Sequence, residues 1–144
     1  MTNKNMKNIV IDATGLVIGR LATQCAKEAL RGHSIEVLNI EKAVISGNPK
    51  KIITVYKKRR TMTNHANPEE GAKWPRRPDY LFKKILSGMT PNSIRGKLAL
   101  RRVKAHLGDN GKKGQAYNIK NASQLRGNHI TLGELSTALG WAHG

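Results

Sequence analysis

The sequence predicts an α/β fold, and two observations carry that prediction. Residues 9–11 are three β-branched side chains in a row, as in a strand buried on both faces, and a polar, glycine-containing turn ends the run. From Gly19 the apolar residues recur with helical period, and Gly32 follows where a left-handed helix cap is expected. A strand that leads into a helix in this way is the first half of a βαβ unit.

The first helix is predicted to bury one face. The predicted buried positions are Leu21, Ala22, Cys25, Ala26, Ala29 and Leu30. The opposite, polar face consists of Arg20, Gln24, Lys27, Glu28 and Arg31. Residues 35–40 are the predicted second strand, 41–44 a single helical turn and 45–47 a short connection.

Asn48 and Pro49 predict the start of a second helix, as cap and first residue, which continues through about Arg60. Its narrow apolar stripe consists of Ile52, Val55 and Tyr56. Residues 61–78 contain three prolines and a glycine and show no periodicity, which indicates a long loop. In so basic a chain we interpret that loop as a segment ordered by a polyanion.

The C-terminal half predicts three more helices. Residues 78–87 form one that ends at Gly88 and Pro91, with Lys83 and Lys84 pointing away from its apolar face. Ser93 caps another through about residue 102, with Leu98 and Ala99 inward and Arg95, Arg101 and Arg102 outward. Residues 103–107 are a predicted strand, and residues 108–130 a turn-rich, extended segment. A capping box at Thr131 opens a last helix through residue 139.

Charge is the strongest compositional signal. The 144 residues include 26 Lys and Arg against 9 Asp and Glu, a net charge of +17. Self-repulsion of this size favours a polyanionic partner, and nucleic acid is the obvious one. A membrane surface fits less well because the basic segments lack aromatic and leucine faces. Six aromatic residues are too few for serial base stacking, so recognition of backbone and shape is expected.

The charge is concentrated in the middle of the chain. Residues 50–104 hold sixteen Lys and Arg against three acidic residues, a net charge of +13. We therefore expect the first 49 residues to be an ordinary α/β half and the middle to be the binding half. The polar N-terminus and the short apolar runs predict neither a signal peptide nor a membrane span, and one cysteine cannot form an intrachain disulfide.

The turn between Gly15 and Gly19 is the one place that suggests enzyme chemistry. Its GxxxGR spacing fits neither the dinucleotide fingerprint nor the Walker loop. A structural turn, with Gly19 allowing close approach of helix and strand, is favoured over a nucleotide-dependent enzyme. A third hypothesis is that this helix start meets an RNA phosphate, with Arg20 assisting. Asp12 is expected to cap the turn rather than catalyse.

Neither the carboxylates nor the histidines form a recognisable catalytic or metal-binding pattern. No two carboxylates have the spacing of an acid/base pair, and the five histidines are widely separated beside a single cysteine, Cys25, which we expect to be a buried hydrophobe. The sequence therefore predicts no enzyme, no cofactor, no metal and no small-molecule substrate.

Several stretches, in this order, resemble the ribosomal protein L13 family of the large subunit. They are DATG at residues 12–15 with GRLA at 19–22, SGN at 46–48, GMTP at 88–91, and Gly96 followed by RRVK at 101–104 and Gly108. The ending, LGEL at 132–135 with Gly140 and Trp141, is similar to the archaeal and eukaryotic branch. The resemblance covers about residues 8–141.

The resemblance implies a single domain over residues 1–144, with residues 61–78 and 108–130 as extended loops or linkers. The implied fold is a three-layer α/β/α with a small, mainly parallel sheet of about four strands, plus basic helices. The implied function is that of a structural constituent of the large ribosomal subunit, in the cytoplasm, that binds ribosomal RNA and supports assembly and translation. Its partners would be large-subunit ribosomal RNA and neighbouring ribosomal proteins, and Met89 would be a core residue.

The RNA-facing candidates combine the positions implied by the resemblance with two further arginines of the basic middle. They are Arg20, Asn48, Lys50, Lys51, Lys57, Lys58, Arg59, Arg60, Arg76, Arg77, Arg95, Lys97, Arg101, Arg102 and Lys104. Two alternatives stay open on the sequence alone. One is a free RNA-binding translational regulator, and the other, less favoured, is a nucleotide-using α/β enzyme.

Overall fold

A computed structural model describes residues 6–115, 117, 119 and 121–142. Within these residues, the chain forms a mixed α/β fold. The elements are β1 Asn8–Asp12, α1 Ile18–Leu30, β2 Ser34–Leu38, β3 Val44–Ser46, α2 Pro49–Thr61, α3 Pro78–Ser87, α4 Ile94–Arg102, β4 Val103–Ala105, β5 His129–Thr131 and α5 Leu132–Ala138. Short 3-10 turns occupy Ile40–Lys42, Pro68–Glu70 and Ala122–Gln124.

The main sheet is parallel and has the strand order β1-β2-β4. Ile35 is its central residue, paired with Ile9 on one side and Val103 on the other. Strands β3 and β5 form a separate antiparallel pair. The predicted α/β class with a small, mainly parallel sheet is confirmed, with three strands in that sheet. A single parallel bridge joins Ile11 to Gln115 beyond β1.

The core lies where α1 packs against the sheet and against α3 and α4. Leu21, Phe82 and Leu135 are fully buried there, from three different helices. Cys25 is also fully buried, and burial raises the pKa of its thiol to about 12. A thiol with so high a pKa is not a nucleophile at neutral pH, which confirms that Cys25 is a small core hydrophobe.

The predicted helix starts are confirmed because their signals are local. The side-chain oxygen of Asn48 accepts from the Lys50 amide at 3.0 Å, and that of Ser93 accepts from the Gly96 amide at 3.4 Å. The capping box at Thr131 and Glu134 is formed in both directions. The expected loop covers residues 62–77, one residue shorter at each end than predicted, and is interrupted only by the turn Pro68–Glu70. Within the described residues, no helix is long and apolar enough to cross a membrane.

Several predictions of facing were wrong. Val55, predicted in the apolar stripe of α2, is 46% exposed. Glu28, predicted on the polar face of α1, is buried and pairs with Arg31 at 2.9 Å, with His33 at 3.6 Å.

Leu98, predicted inward, is 45% exposed. The buried residues of α4 are instead the small ones, Gly96 and Ala99. Gly96 also lies against the turn before the helix, since a Cβ there would be 1.8 Å from the carbonyl oxygen of Pro91.

Three local predictions also differ from the structure. Residues 45–47, predicted as a connection, belong largely to β3, whose partner β5 lies far away in sequence. Strand β4 ends at Ala105, two residues before the predicted end. Gly15 has a φ of +72°, as a turn glycine should, but a Cβ on Gly19 would have no neighbour within 4 Å, so Gly19 does not serve close packing.

Candidate nucleic-acid interface

Helix α2 carries the densest positive charge and has no buried residue. Its apolar side is half-buried at most, with Ile52, Ile53 and Tyr56 resting on the edge of the core. Its cations are Lys50, Lys51, Lys57, Lys58, Arg59 and Arg60. All of them are exposed except Arg60, which is half-buried. The helix therefore presents its charge to solvent on a surface that the core covers very little.

The loop after α2 is held to that helix by arginine and aromatic contacts. A terminal guanidinium nitrogen of Arg60 donates to the carbonyl oxygen of Trp74 at 2.5 Å. The Arg59 guanidinium lies 5.1 Å from the ring centroid of Tyr56 and 5.0 Å from that of Trp74. The two rings meet edge to face at 5.8 Å. Burial raises the pKa of Tyr56, an effect that the charge of Arg59 partly opposes, so its hydroxyl stays protonated at neutral pH.

A second basic group lies on α4 and β4. Its members are Arg95, Lys97, Arg101, Arg102 and Lys104. Arg102, expected to point outward, is half-buried and donates to the Ala29 carbonyl at 3.1 Å. Arg95 donates to the Leu30 carbonyl at 3.4 Å. Both arginines thus contact the last turn of α1, where cations are favourable, and the other three side chains are exposed.

These two basic groups lie at opposite ends of α1. The end of α2 around Arg59 borders a cleft at the first turn of α1, and the arginines of α4 bond to its last turn. A 13-residue helix spans about 20 Å. The exposed side chains of Arg20 and Lys27 lie between the ends on α1 itself. The predicted cations of α2 and those of α4 are therefore near opposite ends of one helix.

Arg76 and Arg77 are exposed and lie at the start of α3. Arg77 pairs with the Asp79 carboxylate at 3.0 Å and lies over the Tyr80 ring at 5.0 Å. The guanidinium of Arg76 lies beside Gly140, about 3.8 Å from the position that a Cβ on Gly140 would occupy. Part of the charge of this pair is thus already matched within the protein.

Sequence reasoning missed Lys84 and the rings of Tyr56 and Trp74 as site residues. The Lys84 ammonium lies 5.6 Å from the Trp74 ring centroid, although its helical position suggested that it points away. Only the tertiary fold brings these groups together, so no local signal could have found them. Met89, expected in the core, is 42% exposed, and its sulfur accepts from the Thr23 hydroxyl at 3.5 Å.

Asp12 caps the turn after β1, as predicted. Its Oδ1 accepts from the Thr14 amide at 3.0 Å, the Thr14 hydroxyl at 2.7 Å and the Asn39 amide group at 3.1 Å. Partial burial opposes ionisation, but these hydrogen bonds together outweigh it and lower the pKa of Asp12. In the described part of the chain, no three His, Cys, Asp or Glu side chains converge as a metal site would require.

Comparison with known proteins gives a consistent result. Residues 6–112 match the family model described as ribosomal protein L13. A large ribosomal subunit protein uL13 from Methanocaldococcus jannaschii is 41% identical over 134 residues, 91% of this chain and 96% of that protein. The uL13 proteins of Methanococcus maripaludis and Aeropyrum pernix are 37% and 35% identical, over 92% and 96% of this chain and 97% and 93% of their own lengths.

Proposed function

The chain belongs to the ribosomal protein L13 family, in its archaeal type, and from this premise we propose how it works in the large ribosomal subunit. It binds large-subunit ribosomal RNA through the cations of α2 and α4, as a structural constituent without enzymatic activity. Binding supports assembly of the subunit in the cytoplasm, and thereby translation. The three uL13 relatives each match 91–96% of this chain, which supports the assignment over nearly its full length.

The single observation that carries the RNA-binding proposal is that α2 has no buried residue. A 13-residue helix is marginally stable in water on its own, and adjacent like charges weaken it further. Residues 57–60 are four consecutive cations. A helix of this composition gains stability when phosphates neutralise it, so a polyanion is its fitting partner.

The second group supports the same function from the other end of α1. Lys97, Arg101 and Lys104 are exposed, and Arg95 and Arg102 keep donors beyond those used on α1. Two separated groups of cations fit a folded RNA whose backbones approach from two directions. Ile94 and Leu98, exposed one turn apart on α4, offer an apolar contact for a neighbouring ribosomal protein.

The test of the proposed function is sucrose-gradient sedimentation of native lysate, with this chain detected before and after a high-salt wash. We expect the chain in the large-subunit peak in both cases. Contacts that become buried between protein and RNA in the assembled subunit are screened by salt less than exposed contacts. Release by salt alone would indicate a peripheral RNA binder. Absence from the ribosomal fractions at low salt would contradict the proposal.

The role of α2 is tested by changing Lys50, Lys51, Lys57 and Lys58 together to Gln. We expect the log–log salt dependence of binding to large-subunit ribosomal RNA to flatten by about 3, since each lost phosphate contact removes about 0.7–0.9. The matched control changes four other exposed lysines to Gln, with the same loss of charge. These are Lys7, Lys42, Lys83 and Lys113. An equal loss in both variants would show that net charge, not the position of α2, determines binding.

A further inference from the structure

A cleft of about 440 Å³ opens between the first turn of α1, strand β3, the end of α2 and the C-terminal end of α3. Ile45 and Ile85 form aliphatic parts of its wall, and Tyr56 and Trp74 form aromatic ones. Its volume is within the range of about 300–1,000 Å³ that small ligands occupy. The cleft is thus large enough for one planar, partly apolar group.

Two cations converge on this cleft. Arg59 and Lys84, from two different helices, both line it, and both lie within 5.6 Å of the ring centroid of Trp74. Among the described residues that line the cleft, none is acidic. Two like charges that line one cleft favour an anion there.

We propose that this cleft receives one nucleotide turned out of the RNA that the protein binds. Its phosphate contacts Arg59 and Lys84, and its base packs against the wall formed by Trp74, Tyr56 and the two isoleucines. Ser46 at the rim offers a hydroxyl to the polar edge of the base or to the ribose. This inference rests on the proposed function, because it names a subsite of the same RNA-binding surface.

The chemistry of the cleft favours a nucleotide of an RNA chain over a free nucleotide. Unstacked bases of folded RNA are commonly held on aromatic side chains and guanidinium planes. The turn before α1 lacks the glycine spacing that cradles a free nucleotide's phosphates, so little holds the ligand apart from two cations. The adjoining cations of α2 supply the backbone contacts that a flipped nucleotide needs on either side.

The first test is ultraviolet crosslinking of the full chain bound to large-subunit ribosomal RNA, followed by nuclease digestion and mass spectrometry. We expect a nucleotide crosslinked to Tyr56 or Trp74. Bound RNA without a crosslink at either ring would overturn the cleft proposal and leave the proposed function standing. Failure of the unchanged chain to bind the RNA would overturn both.

The second test compares Lys84→Gln with Lys83→Gln. Lys83 is the adjacent residue, is exposed and does not line the cleft. We expect Lys84→Gln to bind the RNA about tenfold more weakly than Lys83→Gln, and Lys84→Arg to restore binding, with thermal unfolding alike in all three. Equal binding by the two Gln variants would contradict the proposal.

The third test separates RNA from free nucleotides. In a Trp141→Phe chain, Trp74 is the only tryptophan, so its fluorescence reports on the cleft. We expect quenching by the RNA and no saturable quenching by AMP, GMP, CMP or UMP. Saturation by any free mononucleotide would overturn the assignment to RNA.

Discussion

Helices α1 and α2 are both 13 residues long, yet they depend on different surroundings. Seven residues of α1 are buried, among them Leu21 and Cys25, whereas α2 has none. The first turn of α1 has no side-chain cap, whereas Asn48 caps α2. Helix α1 is therefore held by tertiary packing, and α2 by its cap and by contacts along one edge.

This difference separates the core of the chain from its proposed binding surface. Because α1 forms the core, its sequence is constrained by volume and shape. Because α2 is hardly covered, its sequence is free to carry charge that would be unfavourable in a core. Changes in α1 should act on stability, and changes in α2 on binding.

The largest expected effect is from Leu21→Ala in α1. Leu21 is fully buried, so its truncation should lower the free energy of unfolding by about 2–5 kcal/mol. The control is Val55→Ala in α2, where Val55 is 46% exposed, with an expected change within about 0.5 kcal/mol. Denaturant unfolding measures both, and similar losses in both variants would refute the contrast between the helices.

Gly96→Ala extends the comparison to α4, which carries charge and also packs. The new methyl group would lie 1.8 Å from the Pro91 carbonyl oxygen, so backbone must shift, and we expect a loss of about 1–3 kcal/mol. Gly19→Ala in α1 should instead raise stability, by up to about 1 kcal/mol, because its Cβ meets nothing within 4 Å. If thermal unfolding shows the unfolding temperatures of both variants shifted in the same direction, the contrast between the crowded Gly96 and the open Gly19 is wrong.

Asn48→Ala removes the cap of α2, at a local cost of about 1 kcal/mol. Since α2 has no buried residue, the loss should appear as faster hydrogen exchange in α2 with little change in global unfolding. Ser93→Ala removes the corresponding cap of α4, which is packed through Gly96 and Ala99, and should lower global stability. A global loss from Asn48→Ala equal to that from Ser93→Ala would show that α2 is part of the cooperative core.

The smallest expected effect concerns the turn that leads into α1. The pKa of Asp12 is lowered in the folded chain, so its carboxylate stabilises the fold above the unfolded-chain pKa of about 3.9. That contribution is lost as pH falls through the lower folded-state pKa. The stability difference between the unchanged chain and Asp12→Asn should therefore shrink between about pH 5 and pH 2. A difference independent of pH would show that Asp12 acts by geometry alone.

The sequence predicted the parts of the fold that depend on neighbours in the chain. The starts of α2, α4 and α5 follow from Asn48, Ser93 and Thr131, whose hydrogen-bond partners are two or three residues away. The pairing of β3 with β5 could not be predicted, because each strand has three residues and their register is set by contacts across the chain. Glu28 was misplaced although its hydrogen-bond partners Gln24 and Arg31 are local, because its burial depends on how α1 packs in the fold.

The candidate site shows the same limit. Charge clustering identified α2 and α4 as candidate RNA-binding helices, because clustering can be read from composition alone. It could not show that Arg102 is partly occupied by the Ala29 carbonyl, or that Lys84 reaches Trp74, since both contacts depend on how the helices pack. The prediction that the fifteen named residues face RNA stays a prediction for each of them.

The pairing of β3 with β5 has a consequence for the time at which the cleft is completed. Ser46 pairs with His129, so 83 more residues must be added after Ser46 before its partner exists. At about 5–20 residues per second, translation needs about 4–17 seconds for that stretch. Ile45 and Ser46 form one wall of the cleft and remain unpaired during this interval. The cleft is therefore finished only after residue 129 has been added, later than all the residues of α1, α2 and α3.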